Sequence, residues 1–330
     1  MPNSTTITAT AAIRSVLLEL FPDVVDIVFW FFVEKKFWEI QKKTNNKIKR
    51  NCFRYFFVFQ KKQLHNDPKF ANIVYSNTKL DMLEQIDIAN VLFLDIETVS
   101  VTHRYAELSE DFQHLWKSKS TSLFKTEADA TEEELNETYR DRAAIYAEFG
   151  KIMCISVGVV YRDKDDKRLK VRLKSFAGHD EGQLLKDFSE LMAQHYPSPG
   201  KHFICGHNIK EFDIPYICRR MVVHQMPFPN LLDLEGKKPW ETLHLLDTME
   251  MWKFGDRKNY TSLKVLAALL NFPSPKDDID GSQVGRVYWD ENDVERISFY
   301  CEKDVLATIQ LFLRYRRAPI LEEDQVAHIR

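Results

Sequence analysis

Val91-Leu92-Phe93-Leu94 is an apolar run that passes, with no turn residue between, into Asp95-Ile96-Glu97. A strand apolar at successive positions is covered on both faces, which requires layers on either side of a sheet and points to an α/β architecture. In extended backbone, residues two apart point the same way, so Asp95 and Glu97 leave the strand on one side. Two carboxylates that close repel each other unless a cation lies between them. The tripeptide D-x-E alone is common and also suits a solvated strand end; the buried strand before it gives it weight.

The rest of the chain fills in the layers. Residues 103–149 are charged and rich in helix formers, and Thr131-Glu132-Glu133-Glu134 reads as a capping box, so a helical insertion is expected between the first two strands. Lys151–Tyr161 and Leu169–Phe176 read as the second and third strands, joined by the polar turn Arg162–Arg168. Asp180 opens a helix through Leu184, Leu185, Phe188, Leu191 and Met192. Phe203–Cys205 is a fourth strand running into Gly206, and Glu211–Val223 a helix. Leu243–Leu246 is a fifth strand ending at Asp247, Ser262–Leu270 a short helix and Val294–Tyr315 a long one. The sum is a mixed five-stranded sheet flanked by helices, whose sites should gather at the carboxyl ends of strands. Asp95 is expected at one such end and the Gly206-His207-Asn208 turn at another.

The formal net charge of -3 hides an asymmetry. Residues 1–81 hold 13 Lys and Arg against 7 Asp and Glu, and residues 82–330 hold 33 against 42. An acidic body repels a phosphate backbone unless its carboxylates first bind cations. Five cysteines without a CxxC pair read as free thiols in a reducing compartment. The early apolar stretch is broken by Arg14, Glu19, Asp23 and Asp26, and Ile27–Val33 is far short of the roughly 20 residues that cross a bilayer. A cytoplasmic location without a membrane segment is therefore expected.

Residues 1–81 contain ten phenylalanines and no glycine. They read as an N-terminal extension added by a mis-called start, with Met82 the natural beginning. The competing reading is a basic, aromatic helical appendage that grips nucleic acid. Residues 82–330 form the main domain.

Two further segments carry chemistry. In Gly206-His207-Asn208-Ile209-Lys210-Glu211-Phe212-Asp213, Gly206 permits a tight turn, Asn208 can bond backbone or substrate, and Asp213 opens the next helix. Asp213 could equally be a first-turn acid complementing the helix dipole, and His207 reads as a turn or core histidine rather than a ligand. In Tyr300-Cys301-Glu302-Lys303-Asp304, Tyr300 and Asp304 share one helical face; each alone suits core or surface. Asp247 could add to a site, but local structure suits it better. Lys201 and Arg219-Arg220 could touch phosphates or simply solvate a surface.

D-x-E, then N-x-x-x-F-D, then Y-x-x-x-D together resemble the DEDDy type of 3′–5′ exonuclease, specifically the stand-alone exonucleases related to the proofreading domain of family B DNA polymerases. The resemblance spans about Leu83 to Arg317 and includes Phe149-Gly150-Lys151-Ile152 and Asp278-Ile279-Asp280-Gly281. The DEDDh type would place histidine where Phe299 stands. The resemblance implies a ribonuclease H-like fold and release of nucleoside monophosphates from the 3′ end of a single strand, DNA favoured, by two metal ions, Mg²⁺ or Mn²⁺. It implies that Asp95 bridges both ions, that Glu97 and Asp304 hold one and that Asp213 holds the other. Tyr300 would orient the attacking water, and Thr98, Asn208 and Phe212 would line the terminal nucleotide, although Phe212 also reads as plain core. Alternatives are an RNA-trimming exonuclease on the same fold and a non-catalytic nucleic-acid-binding module. Only 26 residues follow Asp304, so a polymerase is expected as a separate partner, if at all, or a repair protein in its place.

Overall fold

The computed structural model describes residues 82–124, 130–256, 260–273 and 279–329. The expectations for residues 1–81 lie outside the described residues, as does Asp278. All described residues fall in one compact unit.

Six strands form one sheet, in the order β5-β4-β1-β2-β3-β6. They are β1 Val91–Ser100, β2 Gly150–Arg162, β3 Leu169–Ala177, β4 Phe203–Gly206, β5 Leu245–Asp247 and β6 Val326–Ile329. β1, β2 and β3 run antiparallel in succession, β4 pairs parallel with β1, β5 with β4, and β6 with β3. The mixed α/β class is as expected, with one strand more. β6 was missed because it is an edge strand, exposed along most of its length, and so carries no apolar pattern.

β1 is also longer than the apolar run implied. It continues past Asp95 to Ser100 because β2 pairs with it all the way, whereas its parallel neighbour β4 stops at the pair Phe93↔Cys205. Asp95 and Glu97 therefore lie inside β1, just beyond the end of β4, rather than past the edge of the sheet. The pairing slips between Glu97↔Cys154 and Thr98↔Ile152, leaving Met153 of β2 unmatched, as in a bulge.

The two faces of β1 bury different partners. Leu92, Leu94 and Ile96 pack with Leu184, Leu185 and Phe188 of α3 (Glu181–His195) and with Ile214, Tyr216 and Ile217 of α4 (Asp213–Val223). Val91 and Phe93 face Val305, Ile309 and Phe312 of the long helix α7 (Val294–Tyr315), with Phe93 and Phe312 edge to face at 5.3 Å. By the period of two, Asp95 and Glu97 share the α7 face, and Val99 meets Ile297, Tyr300 and Cys301 there.

The insertion folds on its own small core. Helices α1 (Glu110–Phe124) and α2 (Glu132–Arg142) enclose Trp116, which meets Tyr139 and Phe149 edge-on at 5.3 and 5.1 Å. The capping box is present: Thr131 Oγ1 accepts from Glu134 N, and Glu134 Oε2 accepts from Thr131 N at 2.7 Å. Between β5 and α7 lie α5 (Thr248–Lys253), which the sequence reading lacked, and α6 (Leu263–Leu270). A π-helical turn, Val287–Glu291, precedes α7. Among the described residues, no helix is long and apolar enough to cross a membrane.

Arg220 is neither a phosphate contact nor a solvated surface charge. It is buried and donates to both oxygens of the buried Glu181, with Arg220 Nη2 at 2.6 Å. Glu181 Oε1 also accepts Ile152 N–H at 2.7 Å, tying α3 and α4 to β2. A burying position is tolerable for this charge pair because its hydrogen bonds are filled.

Candidate active site

Three elements meet at the middle of β1. Asp95 and Glu97 project from β1 towards α7, which carries Tyr300, Cys301 and Asp304. Asp213 arrives from the opposite layer, at the start of α4, and its Oδ1 accepts the backbone N–H of Ile96 at 3.1 Å. Asp213 is buried, at 3% exposure, and stands in the first turn of α4, where a carboxylate also complements the helix dipole.

The acids press on one another. Burial pushes the Asp95 carboxyl well above the usual carboxylate range, and the charges of Asp213, Asp304 and Glu97 push it further. Burial followed by Asp304 does the same to Glu97. Asp213 is pushed up to about 7, chiefly by burial. The Tyr300 phenol is raised by burial and then by Asp304, Glu97 and Asp95, and it hydrogen-bonds Asp304. Carboxylates that raise one another in this way are short of positive charge, and an all-oxygen donor set fits hard divalent ions such as Mg²⁺ or Mn²⁺.

Cys301 is the site residue that sequence reasoning missed. Its Sγ donates to Asp95 Oδ2 at 3.4 Å and to Asp95 O at 3.5 Å. Ligand atoms of Asp95, Glu97 and Cys301 all lie within 4.8 Å of one another. Burial drives the Cys301 thiol well up, which favours the neutral S–H form that donates to Asp95. Its place one residue after Tyr300 was the available signal, but free thiols in helices are usually plain core.

The other expected residues divide. Thr98 and Phe212 line a cleft beside Glu97. Thr98 Oγ1 donates to Ala144 O at 2.9 Å, binding β1 to the insertion. Phe212 also packs on the core and on Tyr216 at 5.4 Å. Asn208 does not line this cleft; it adopts a left-handed backbone (φ 68) in the turn, and its N–H donates to Asp247 Oδ1 at 3.0 Å. Asp247 has the local role: it caps α5 through Met249 N and Glu250 N and also accepts Lys210 N–H. His207 is held at both ring nitrogens, by Thr248 Oγ1 at 2.9 Å and Thr261 O at 3.0 Å.

Gly206 serves space rather than backbone freedom. A Cβ there would lie 1.9 Å from Ile209 Cγ2 and 2.8 Å from Leu94 O, so only glycine lets the turn close against β1.

A six-stranded mixed sheet flanked by helices, with acids gathered beyond the end of β4, is a ribonuclease H-like exonuclease architecture. The chain belongs to the family described as predicted 3′–5′ exonucleases related to the exonuclease domain of PolB, which it matches over residues 145–326. Asp213, Tyr300 and Asp304 fall inside that match, and β1 with Asp95 and Glu97 precedes it. No curated protein matches the chain.

Proposed function

We propose that the protein is a 3′–5′ exonuclease that removes nucleoside monophosphates from single-stranded nucleic acid, with DNA as the preferred substrate. The observation that supports this reading best is the crowding at Asp95, whose carboxyl is raised first by burial and then by the charges of Asp213, Asp304 and Glu97. A pair of divalent ions, Mg²⁺ or Mn²⁺, would neutralise the phosphate and acidify water there. Asp95, Glu97, Asp213 and Asp304 are the residues that would hold the ions.

The residues themselves divide the remaining work. Tyr300, its phenol raised, keeps its proton at neutral pH; it orients the attacking water by hydrogen bonding and does not act as a base. Cys301 keeps the Asp95 carboxylate turned towards the shared point. Phe212 offers a ring edge or face to the terminal base, Thr98 flanks it, and Asn208 holds the turn that delivers Asp213. The free cysteines Cys154, Cys205, Cys218 and Cys301 suit a reducing compartment such as the cytoplasm. A polymerase or repair protein would act as a separate partner.

The direct test is release of mononucleotides from a 5′-labelled single strand with Mg²⁺, comparing the protein with Asp95→Ala and Asp304→Ala. Both variants should be inactive, and undiminished release from either refutes the assignment. Matched DNA and RNA strands in the same assay settle the sugar preference.

A further inference from the structure

A cleft of about 700 Å³ opens beside Glu97, which lines it together with Thr98 and Phe212. That volume is in the range of sites that take small organic ligands. The rest of the cleft is built by two segments far apart in sequence. One is the end of α2 in the insertion, with Arg140 and Arg142; the other runs from Gly281 to Asp290 and includes Arg286.

The second segment is clasped to the end of β1 and the loop that follows it. His103 stacks on Trp289 with ring centroids 5.6 Å apart and planes 9° from parallel. His103 Nε2 lies 2.9 Å from Asp290 Oδ1, and Arg140 Nη2 lies 3.4 Å from Asp290 Oδ2. Trp289 Nε1 donates to Ser100 Oγ at the end of β1, at 3.1 Å. Trp289 and Asp290 sit on the π-helical turn, a rare form that recurs at functional sites.

The charge pattern is unusual for this chain. Residues 82–330 carry an excess of acids, yet three arginines line one cleft, where they stand against Glu97, Asp141 and Asp290. Arg220 shows what a structural arginine looks like here: buried and locked on Glu181. Arg140, Arg142 and Arg286 are instead exposed at the cleft. Arg140 pairs with Asp290, and Arg286 with Glu291 at 3.3 Å; exposed pairs of this kind are weak and exchange readily for the stronger bidentate contact with a phosphate.

We propose that Arg140, Arg142 and Arg286 form a phosphate-binding wall that holds the backbone of a single strand upstream of its terminal nucleotide. The cleft then grips a run of nucleotides, and the clasp of His103 and Trp289 holds the Arg286 half of the wall against the end of β1. The polarity of the strand rests on the exonuclease reading, because that reading puts the 3′ end at the acids; binding by the wall needs no hydrolysis.

The test separates the two. Anisotropy of a labelled oligothymidylate is measured in EDTA, between about 50 and 200 mM salt. Each phosphate contact on a single strand contributes about -0.7 to the slope of log K against log salt. Arg140→Ala/Arg142→Ala/Arg286→Ala should therefore flatten the slope by up to about 2 and weaken binding at least tenfold. The three-lysine counterpart should restore most of the slope. In turnover with Mg²⁺, KM for the oligonucleotide should rise more than kcat falls, and its advantage over a dinucleotide should shrink. A folded triple-alanine variant with the slope and KM of the parent overturns the proposal, whether or not the exonuclease reading stands. If that variant fails to fold, Arg142→Ala and Arg286→Ala singly carry the same test. Arginine-dependent binding by a protein that never hydrolyses the strand leaves the wall in place and removes the exonuclease reading.

Discussion

Asp213 Oδ1 accepts the backbone N–H of Ile96, the residue between Asp95 and Glu97, from 117 positions away in the chain. One hydrogen bond therefore sets the distance between the α4 layer and the acid pair on β1. Asp213→Asn keeps an oxygen for Ile96 and removes a buried charge. Its melting temperature should equal or exceed that of the parent, since a repelled acid is gone. If Asp213 holds an ion as proposed above, turnover should fall by at least about a hundredfold, because such a contact supplies several kcal/mol to the transition state. Thermal melts paired with mononucleotide release check both halves.

The acids also predict how stability depends on pH without metal. Asp213 is raised to about 7, and Asp95 and Glu97 are raised as well. A folded pKa above the unfolded value gives stability that is full below the unfolded value and is lost as pH rises through the folded one. In EDTA the melting temperature should thus fall as pH rises from about 4, the unfolded value of an aspartate, past about 7. Saturating Mg²⁺ binds the ionised form and should flatten or reverse that fall. An identical pH profile with and without Mg²⁺ would show that the ions do not bind these acids.

Glu181 has the opposite sign. Its pKa is held below the ordinary value by hydrogen bonds from Arg220, Ile152 N–H and His224, against a burial effect that raises it. Its contribution is present above the unfolded pKa and is lost as pH falls through the lower folded value. Glu181→Gln leaves Arg220 buried without its counter-charge and should cost about 3–5 kcal/mol. Urea melts at neutral pH measure that loss, and the loss should shrink in acid.

Cys301 predicts a loss of metal affinity with the fold retained. Cys301→Ala removes the S–H donor to Asp95 Oδ2 and should weaken Mg²⁺ activation by about 10–100-fold, as outer contacts to metal ligands do. Cys301→Ser, which keeps a donor, should recover part of it. Mg²⁺ titrations of activity, with melts as a control, distinguish steering of Asp95 from simple loss of packing.

Gly206→Ala should destabilise by about 1–3 kcal/mol, because the new methyl meets the fixed carbonyl of Leu94 as well as Ile209. Activity should fall further than stability alone explains, since the same turn leads to Asp213.

Residues 91–94, the hairpin strands and the long helix were legible because each buries a face with a local period, two in strands and 3.6 in helices. The four acids and Tyr300 were legible as types at a spacing. β6 left no such trace because an edge strand exposes most of its side chains, and α5 is too short to show a period. Arg220 was misread because a charge looks the same in sequence whether water or Glu181 receives it.

The sequence by itself determined the long, periodic segments (β1 to β3, α3 and α7) and which side of β1 carries the acids, since those depend on neighbours a few residues apart. Only the tertiary structure decided that Asp95 lies inside β1 beyond the end of β4, that Asp213 binds Ile96, that Cys301 donates to Asp95, and that two remote segments line one cleft with arginines. The physical reason is that these outcomes depend on strand order, on the relative lengths of paired strands and on contacts between layers, and no local pattern encodes where two layers will touch.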